Sequence, residues 1–274
     1  MSDGLRFASL GSGSRGNATV VQSGATRVLV DCGFSARETV KRLARIGLEA
    51  ESLTAILLTH EHADHASGAA AFAARFGLPV FLSAGTHRAL VSRGCFDGVK
   101  VDRNRILRGV AFSLGSLTVL PVRVPHDAQE PCQYVFESAG AKLGVLTDIG
   151  DVTPQVLAAY GGCHALLLES NHDIGMLRSG PYPAALQARV GGEYGHMSND
   201  QAAQLLRALD TSRLHALVLA HLSEQNNQPA LARRMAAAAI GWRESEVSVA
   251  SQAEGHGWVQ VGTQSALATG HAGA

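Results

Sequence analysis

Leu57-Leu58-Thr59-His60-Glu61-His62-Ala63-Asp64-His65 decides how the rest of this chain is read. An apolar run, Ala55 to Leu58, reads as a strand that ends at Thr59, and three histidines and an aspartate follow within six residues. His60 and His62 are two apart in extended backbone, so their imidazoles fall on one side, while Asp64 and His65 at the next helix start reach an adjacent point. Two metal positions side by side result, one with two imidazoles and one with an imidazole and a carboxylate. Such ligands suit Zn²⁺, Mn²⁺ or Fe²⁺, and no cysteine in the stretch favours a softer metal. A zincin helix is excluded, because Asp64 stands where H-E-x-x-H needs its second histidine. Glu61 reads as an exposed or supporting residue rather than a ligand.

One loop does not complete a two-ion centre, so further ligands are expected singly at the ends of later strands. His126 follows TVLPVRVP, Asp148 follows KLGVLT and His221 follows HALVLA, each the first residue of a ligating type beyond an apolar run. A rigid sheet delivers side chains at its strand ends, and the loops there leave room for substrate.

Val-, Leu- and Ile-rich runs recur between Leu5 and Leu219. Helix-period segments lie between several of them: Ala36 to Ile46, His65 to Phe76, Pro154 to Tyr160, Pro183 to Val190, Asn199 to Leu209 and Pro229 to Ala239. Early strands join by short turns and later ones alternate with helices, which predicts an α/β fold with a mixed sheet covered by helices. No linker divides the chain, so residues 1–262 read as one domain and 263–274 as a flexible tail in which His271 is inert. Lys plus Arg and Asp plus Glu both number 23, so no global field draws the protein to nucleic acid or a membrane. Cys32, Cys95, Cys132 and Cys163 show no C-x-x-C spacing and read as free thiols of a reducing compartment. Without an export signal or a long apolar run, the expected location is the cytoplasm, with no membrane partner.

Together SLGSGSRGN (9–17), LVDCGFS (29–35), THEHADH (59–65), PHDAQEP (125–131), TDIG (147–150), LLLESNHDIGMLRSGPYP (166–183), GHMSNDQAA (195–203) and AHLSEQNN (220–227) resemble the metallo-β-lactamase superfamily, whose H-x-H-x-D-H hallmark matches His60, His62, Asp64 and His65. More narrowly they resemble its YycJ/WalJ group, linked to 5′-to-3′ DNA exonuclease activity. The resemblance implies a four-layer αβ/βα sandwich with two divalent metal ions at one edge. It assigns His60, His62 and His126 to one ion, Asp64, His65 and His221 to the other, and Asp148 to a bridge. A hydroxide held between ions about 3.5–4 Å apart would attack phosphorus, and Asp64 would orient it or take its proton. His196 matches a histidine of tRNA-maturing relatives that assists the departing group; the plainer reading is that it holds its loop.

Other positions stay open. Ser198 reads as the N-cap of a helix opening at Asn199, whose backbone donors suit a phosphate. Ser14 and Asn17, in the glycine-rich stretch 11–17, approach a phosphate or sit in a hairpin turn; the stretch is not a P-loop. His172 contacts metal, substrate or only Asp173. Arg178 pairs with a substrate phosphate or makes a surface salt bridge. Cys132 reads as a packed thiol, and Arg103, Arg105 and Arg108 as a solvated loop. The function that the resemblance implies is a 5′-to-3′ exonuclease, with DNA rather than RNA as the expected substrate. A phosphodiesterase for RNA or for small or cyclic phosphodiesters, a lactonase or thioesterase, and a non-catalytic metal-binding module are the alternatives. Neutral charge limits how much nucleic acid the chain grips.

Overall fold

Two seven-stranded sheets arise from the short apolar runs. The computed structural model describes residues 4–262, so the tail read at 263–274 lies outside the described residues. The first sheet runs β1 (Arg6–Gly11), β2 (Ala18–Ser23), β3 (Thr26–Val30), β4 (Ala55–Leu57), β5 (Val80–Leu82) and β6 (Arg103–Arg105). The second runs β7 (Phe112–Leu114), β8 (Leu117–Arg123), β9 (Cys132–Ser138), β10 (Ala141–Leu146), β11 (Ala165–Glu169), β12 (Ala216–Ala220) and β13 (Val247–Val249). The chain then returns to the first sheet, where β14 (His256–Gln260) pairs antiparallel with β1. Both sheets are antiparallel in one half and parallel in the other, the change falling at β3 in the first and β10 in the second.

Parallel strands need crossovers, and helices supply most of them. Helices α1 (Ala36–Arg45), α2 (Ala63–Ala66), α3 (Ala69–Phe76) and α4 (Ala84–Ser92) lie along the first half of the chain. Leu43 of α1, Phe72 of α3 and Leu90 of α4 pack with Leu29, Ile56 and Val80 on the outer face of the first sheet. The second half adds α5 (Pro154–Tyr160), α6 (Ile174–Ser179), α7 (Ala184–Val190), α8 (Asn199–Ala208) and α9 (Pro229–Ile240). Val156, Leu205 and Ala236, from α5, α8 and α9, cover the second sheet. Phe7, Val28 and Leu57 of the first sheet meet Tyr134, Phe136 and Leu167 of the second in the central layer. The order is helix, sheet, sheet, helix, the αβ/βα sandwich that the resemblance implied. Each fully buried large side chain in these layers contributes about 1.5–3 kcal/mol. Among the described residues, no helix is long and apolar enough to cross a membrane.

Several local expectations need correction. The helix read over His65 to Phe76 begins earlier, at Ala63, and breaks at Ser67-Gly68. A Cβ on Gly68 would lie 1.8 Å from the Phe34 carbonyl oxygen, and the Gly68 N–H donates to Cys32 O at 2.9 Å, so tertiary contact overrides helical period there. Arg103 and Arg105 belong to an exposed edge strand, β6, rather than a solvated loop. Strands β7, β13 and β14 and helices α4 and α6 were not visible in the apolar pattern.

Burial pushes the thiols of Cys32, Cys132 and Cys163 up to about 12, whereas Cys95 is exposed. Thiolate is the reactive form. Iodoacetamide under native conditions is therefore expected to add one adduct, at Cys95, and four after denaturation; mass spectrometry of the peptides reads the difference.

Candidate metal centre

The chemistry collects where the parallel strands end. Asp31 follows β3, Asp148 lies two residues beyond β10, Glu169 closes β11 and His221 follows β12. Three of these positions leave the ordinary backbone regions: φ is 61° at Asp31, 55° at Asp148 and 54° at His221. Left-handed backbone is uncommon for a side-chain-bearing residue and costs roughly 1–2 kcal/mol. It turns each chain sharply at its strand end and aims the side chain across the sheet edges.

The loop 60–65 is fixed by main-chain bonds. The N–H groups of His65 and Ala66 donate to His62 O, at 3.0 and 2.9 Å, closing the single turn of α2. Outward from it, Asp64 O accepts from Asn17 N at 2.7 Å and His65 O from Cys32 N at 2.8 Å. Gly33 is required here, since a Cβ on it would sit 1.7 Å from Asp64 O. The glycine-rich loop thus braces the ligand loop. Ser12 Oγ also accepts the His221 N–H at 2.8 Å, which ties a ligand of the second sheet to the first.

Most of the imidazoles have one nitrogen held from behind. His65 Nδ1 donates to Asp31 Oδ2 at 2.7 Å, and His126 Nδ1 donates to Gly195 O at 3.0 Å. The Thr59 hydroxyl donates to Asp31, at 2.8 Å from Oδ2, so it accepts from His60 Nδ1 at 2.9 Å. Glu169 plays the same part from the second sheet. Its Oε2 accepts the N–H groups of Ile149 and Met197, at 3.0 and 2.9 Å, and its Oε1 lies 2.8 Å from His196 Nδ1 and 3.4 Å from His221 Nδ1. A partner behind each ring fixes its orientation and tautomer.

The opposite nitrogens converge. His60, His62 and His126 each bring a nitrogen within 4.8 Å of the others, and donor atoms of Asp64, His65 and His221 do likewise. Asp148 stands between the two groups, with Oδ2 3.1 Å from His65 Nε2 and Oδ1 3.5 Å from His221 Nε2. His60 Nε2 is buried without a hydrogen-bond partner, and Asp148 Oδ2 faces only the His65 ring. Burying such atoms bare is costly, so their convergence fits cations in the gap. The nitrogen and oxygen donor set suits zinc, manganese or iron. Asp148, Glu169, His196 and His221 also cluster closely enough to hold an ion, but both Glu169 oxygens are already occupied by amides and imidazoles.

Charge within the cluster follows the same geometry. Burial opposes a cation at His65, yet Asp148, Asp31 and Asp64 outweigh it and hold the imidazolium well above its ordinary range. Burial is likewise overcome at His221, which Asp148, Asp64 and Glu169 raise to about 10. His60 goes the other way, pushed well below by burial and by neighbouring imidazoles, His65 foremost. The carboxylates therefore demand positive charge, and bound cations would replace those protons.

A cleft of about 360 Å³ opens on the centre, lined by Ser14, Asp64, Asp148, His196 and His221 among others. All seven ligand residues read from the sequence come together, and His196 lies beside them with Ser14 at the rim. Five other expected substrate contacts need correction. Asn17 is buried and bonds Gly13 and Asp64 as a brace. Ser198 is turned into a capping box with Gln201, and Asn199 is buried against Ser170 and Asn227. His172 and Arg178 line a separate cavity of about 540 Å³ on the far side of α7. Glu61 supports the loop by accepting Gln129 N at 2.8 Å, and Cys132 is a packed thiol. Asp31 and Glu169 were missed, although Asp31 follows an apolar run as Asp148 does and Glu169 closes one; that signal could have found them.

Residues 26–221 match the family described as the beta-lactamase superfamily domain. Exodeoxyribonuclease YycJ of Bacillus anthracis is 35% identical over 84% of this chain and 87% of its own length. Exodeoxyribonuclease WalJ of Streptococcus pneumoniae strain D39 is 32% identical over 84% of this chain and 86% of its own. Among solved structures, the metallo-beta-lactamase fold protein YhfI from Bacillus subtilis shares the fold, with a TM-score of 0.71 over 94% of this chain and 100% of that one at 17% identity.

Replacing Asp31 by Asn keeps the shape and removes the charge behind His60 and His65. The expected outcome is about 10–100-fold weaker metal binding with little change in melting temperature, by the usual cost of losing an orienting partner. Competition against a chelating dye measures it, and unchanged affinity would show that Asp31 does not position the ligands.

Proposed function

The chain belongs to the metallo-β-lactamase superfamily and within it to the YycJ/WalJ-like group, and we propose that it is a dinuclear metal-dependent phosphodiesterase that removes nucleotides from the 5′ end of DNA. The observation that carries this reading is the convergence of two residue groups that could each hold an ion beside His196, which lines the same cleft and is bonded to Glu169. DNA is proposed from the exodeoxyribonuclease names of the two relatives, zinc or manganese from the donor set, and a cytoplasmic setting from the free thiols.

In this reading His60, His62 and His126 would hold one ion and Asp64, His65 and His221 the second, with Asp148 between the two groups as a further ligand. Bound there, two divalent ions supply Lewis acidity toward the phosphoryl oxygens and a nucleophile at neutral pH. The remaining steps belong to side chains. Asp64 Oδ2 is held by Asn17 Nδ2 at 3.3 Å and lies 3.5 Å from His221 Nε2, so the carboxylate is oriented to steer the attacking oxygen or take its proton. His196 has Nδ1 committed to Glu169 and lines the cleft, which leaves Nε2 for the oxygen that departs. General acid catalysis by such a group contributes about 10²–10⁴-fold.

Linear DNA labelled at either end, RNA and bis(p-nitrophenyl) phosphate, each with added Mn²⁺ or Zn²⁺, test the proposal. Labelled mononucleotide should appear first from 5′-labelled DNA. Hydrolysis of carboxylic esters with no phosphodiester cleaved under any of these conditions would overturn it. His62→Ala and Asp148→Ala should each abolish ion-dependent cleavage with the fold retained by circular dichroism; full activity in either purified variant sinks the two-ion assignment. For His196→Ala, turnover should fall about 10²–10⁴-fold at unchanged metal content by elemental analysis, and loss of metal would instead make His196 a ligand.

A further inference from the structure

Residues 180–195, which carry α7, form part of the wall of the metal cleft as a strap. Tyr182, Leu186, Arg189 and Val190 of this strap line the cleft. Yet α7 contributes no buried side chain, and the 540 Å³ cavity lies along its other face, lined by Ala184, Gln187 and Ala188. The core therefore does not hold the helix in place. Its ends do: Gly180 packs close to Met176 O, and at the far end His126 Nδ1 donates to Gly195 O while the bare Gly150 Cα abuts Glu193 O. A side-chain link from the helix, Arg189 Nε to Asp127 Oδ2 at 2.5 Å, adds to the main-chain bonds in which Tyr194 O accepts from Asp127 N at 2.9 Å and Val190 O from His196 N at 2.8 Å. Asp127 follows the ligand His126, so this ion pair joins the strap to the ligand loop across the cleft.

Cleavage inside a continuous strand requires a groove open on both sides of the scissile phosphate. Here the strap walls the cleft, whose 360 Å³ is near the lower limit for a small-molecule pocket, room for about one nucleotide. We infer that the strap, pinned by Arg189 to Asp127, is the specificity element that admits strand ends to the metal centre and shuts out continuous strands. The inference rests on the nuclease reading above and adds the reason that such an enzyme would act from an end.

The test uses a circular single-stranded DNA and its linear form, with bis(p-nitrophenyl) phosphate as a probe small enough to ignore the strap. One variant replaces Tyr182 to Arg189 with a short Gly-Ser linker; a second, Arg189→Glu, sets like charges against Asp127. Wild type should degrade the linear strand and leave the circle intact. The linker variant should nick the circle at least tenfold faster than wild type, and Arg189→Glu less strongly, with hydrolysis of the small probe within about twofold. Equal attack on circle and linear strand by wild type would overturn the inference, as would a probe-active linker variant that still spares the circle. If the linker variant loses the probe reaction, Arg189→Glu with a wild-type melting temperature decides on the same readout, an intact circle counting against the strap. Failure of wild type on linear DNA alongside active hydrolysis of the probe would instead reject the nuclease reading itself.

Discussion

Five imidazoles and two carboxylates are turned toward one small space, and two buried acids, Asp31 and Glu169, hold three of those imidazoles, His60, His65 and His221, in place. Each acid reaches from its own sheet to two histidines, Asp31 to His65 directly and to His60 through Thr59, Glu169 to His196 and His221. Convergent lone pairs would splay without such anchors, and backbone amides that donate to the same acids, Thr59 to one and Ile149 and Met197 to the other, fix the anchors in turn. The metal centre is in this sense a seam between sheets: Ser12 of the first bonds the His221 amide of the second. Packing in the central layer keeps the two edges in register, because close-packed side chains leave little freedom to slide.

The seven clustered residues were legible because their signal is local. His60 to His65 sit within one turn after a strand, and His126, Asp148 and His221 each stand first in line after an apolar run. Asp31 shares that placement but has partners 28 and 34 residues away, and no spacing encodes such a contact. Glu169 was hidden in plain view beside His172, whose ring turned out to face the wrong cavity. Ser198 shows the converse case: its capping role was readable, but the capping box uses the hydroxyl, leaving nothing of it to offer a substrate.

Edge strands escaped the pattern for a physical reason. Alternation of apolar residues records burial, and an edge three residues long with exposed side chains, as in Arg103–Arg105, buries too little to leave a trace. Contacts distant in sequence decide the rest. Gly68 breaks a helical pattern only because the Phe34 carbonyl passes close by, and β14 joins β1 from the far end of the chain.

The left-handed backbone at Asp31, Asp148 and His221 sets stability against activity within single residues. Glycine adopts that conformation without strain, so at each of these positions the replacement that best relaxes the main chain is the one that deletes an anchor or a ligand. Selection for a tougher fold alone would drift toward glycine at all three strand ends and leave a well-folded sandwich with an empty edge. Their side chains hold that conformation at a conformational cost, which is strain of the kind that collects where an edge does chemistry.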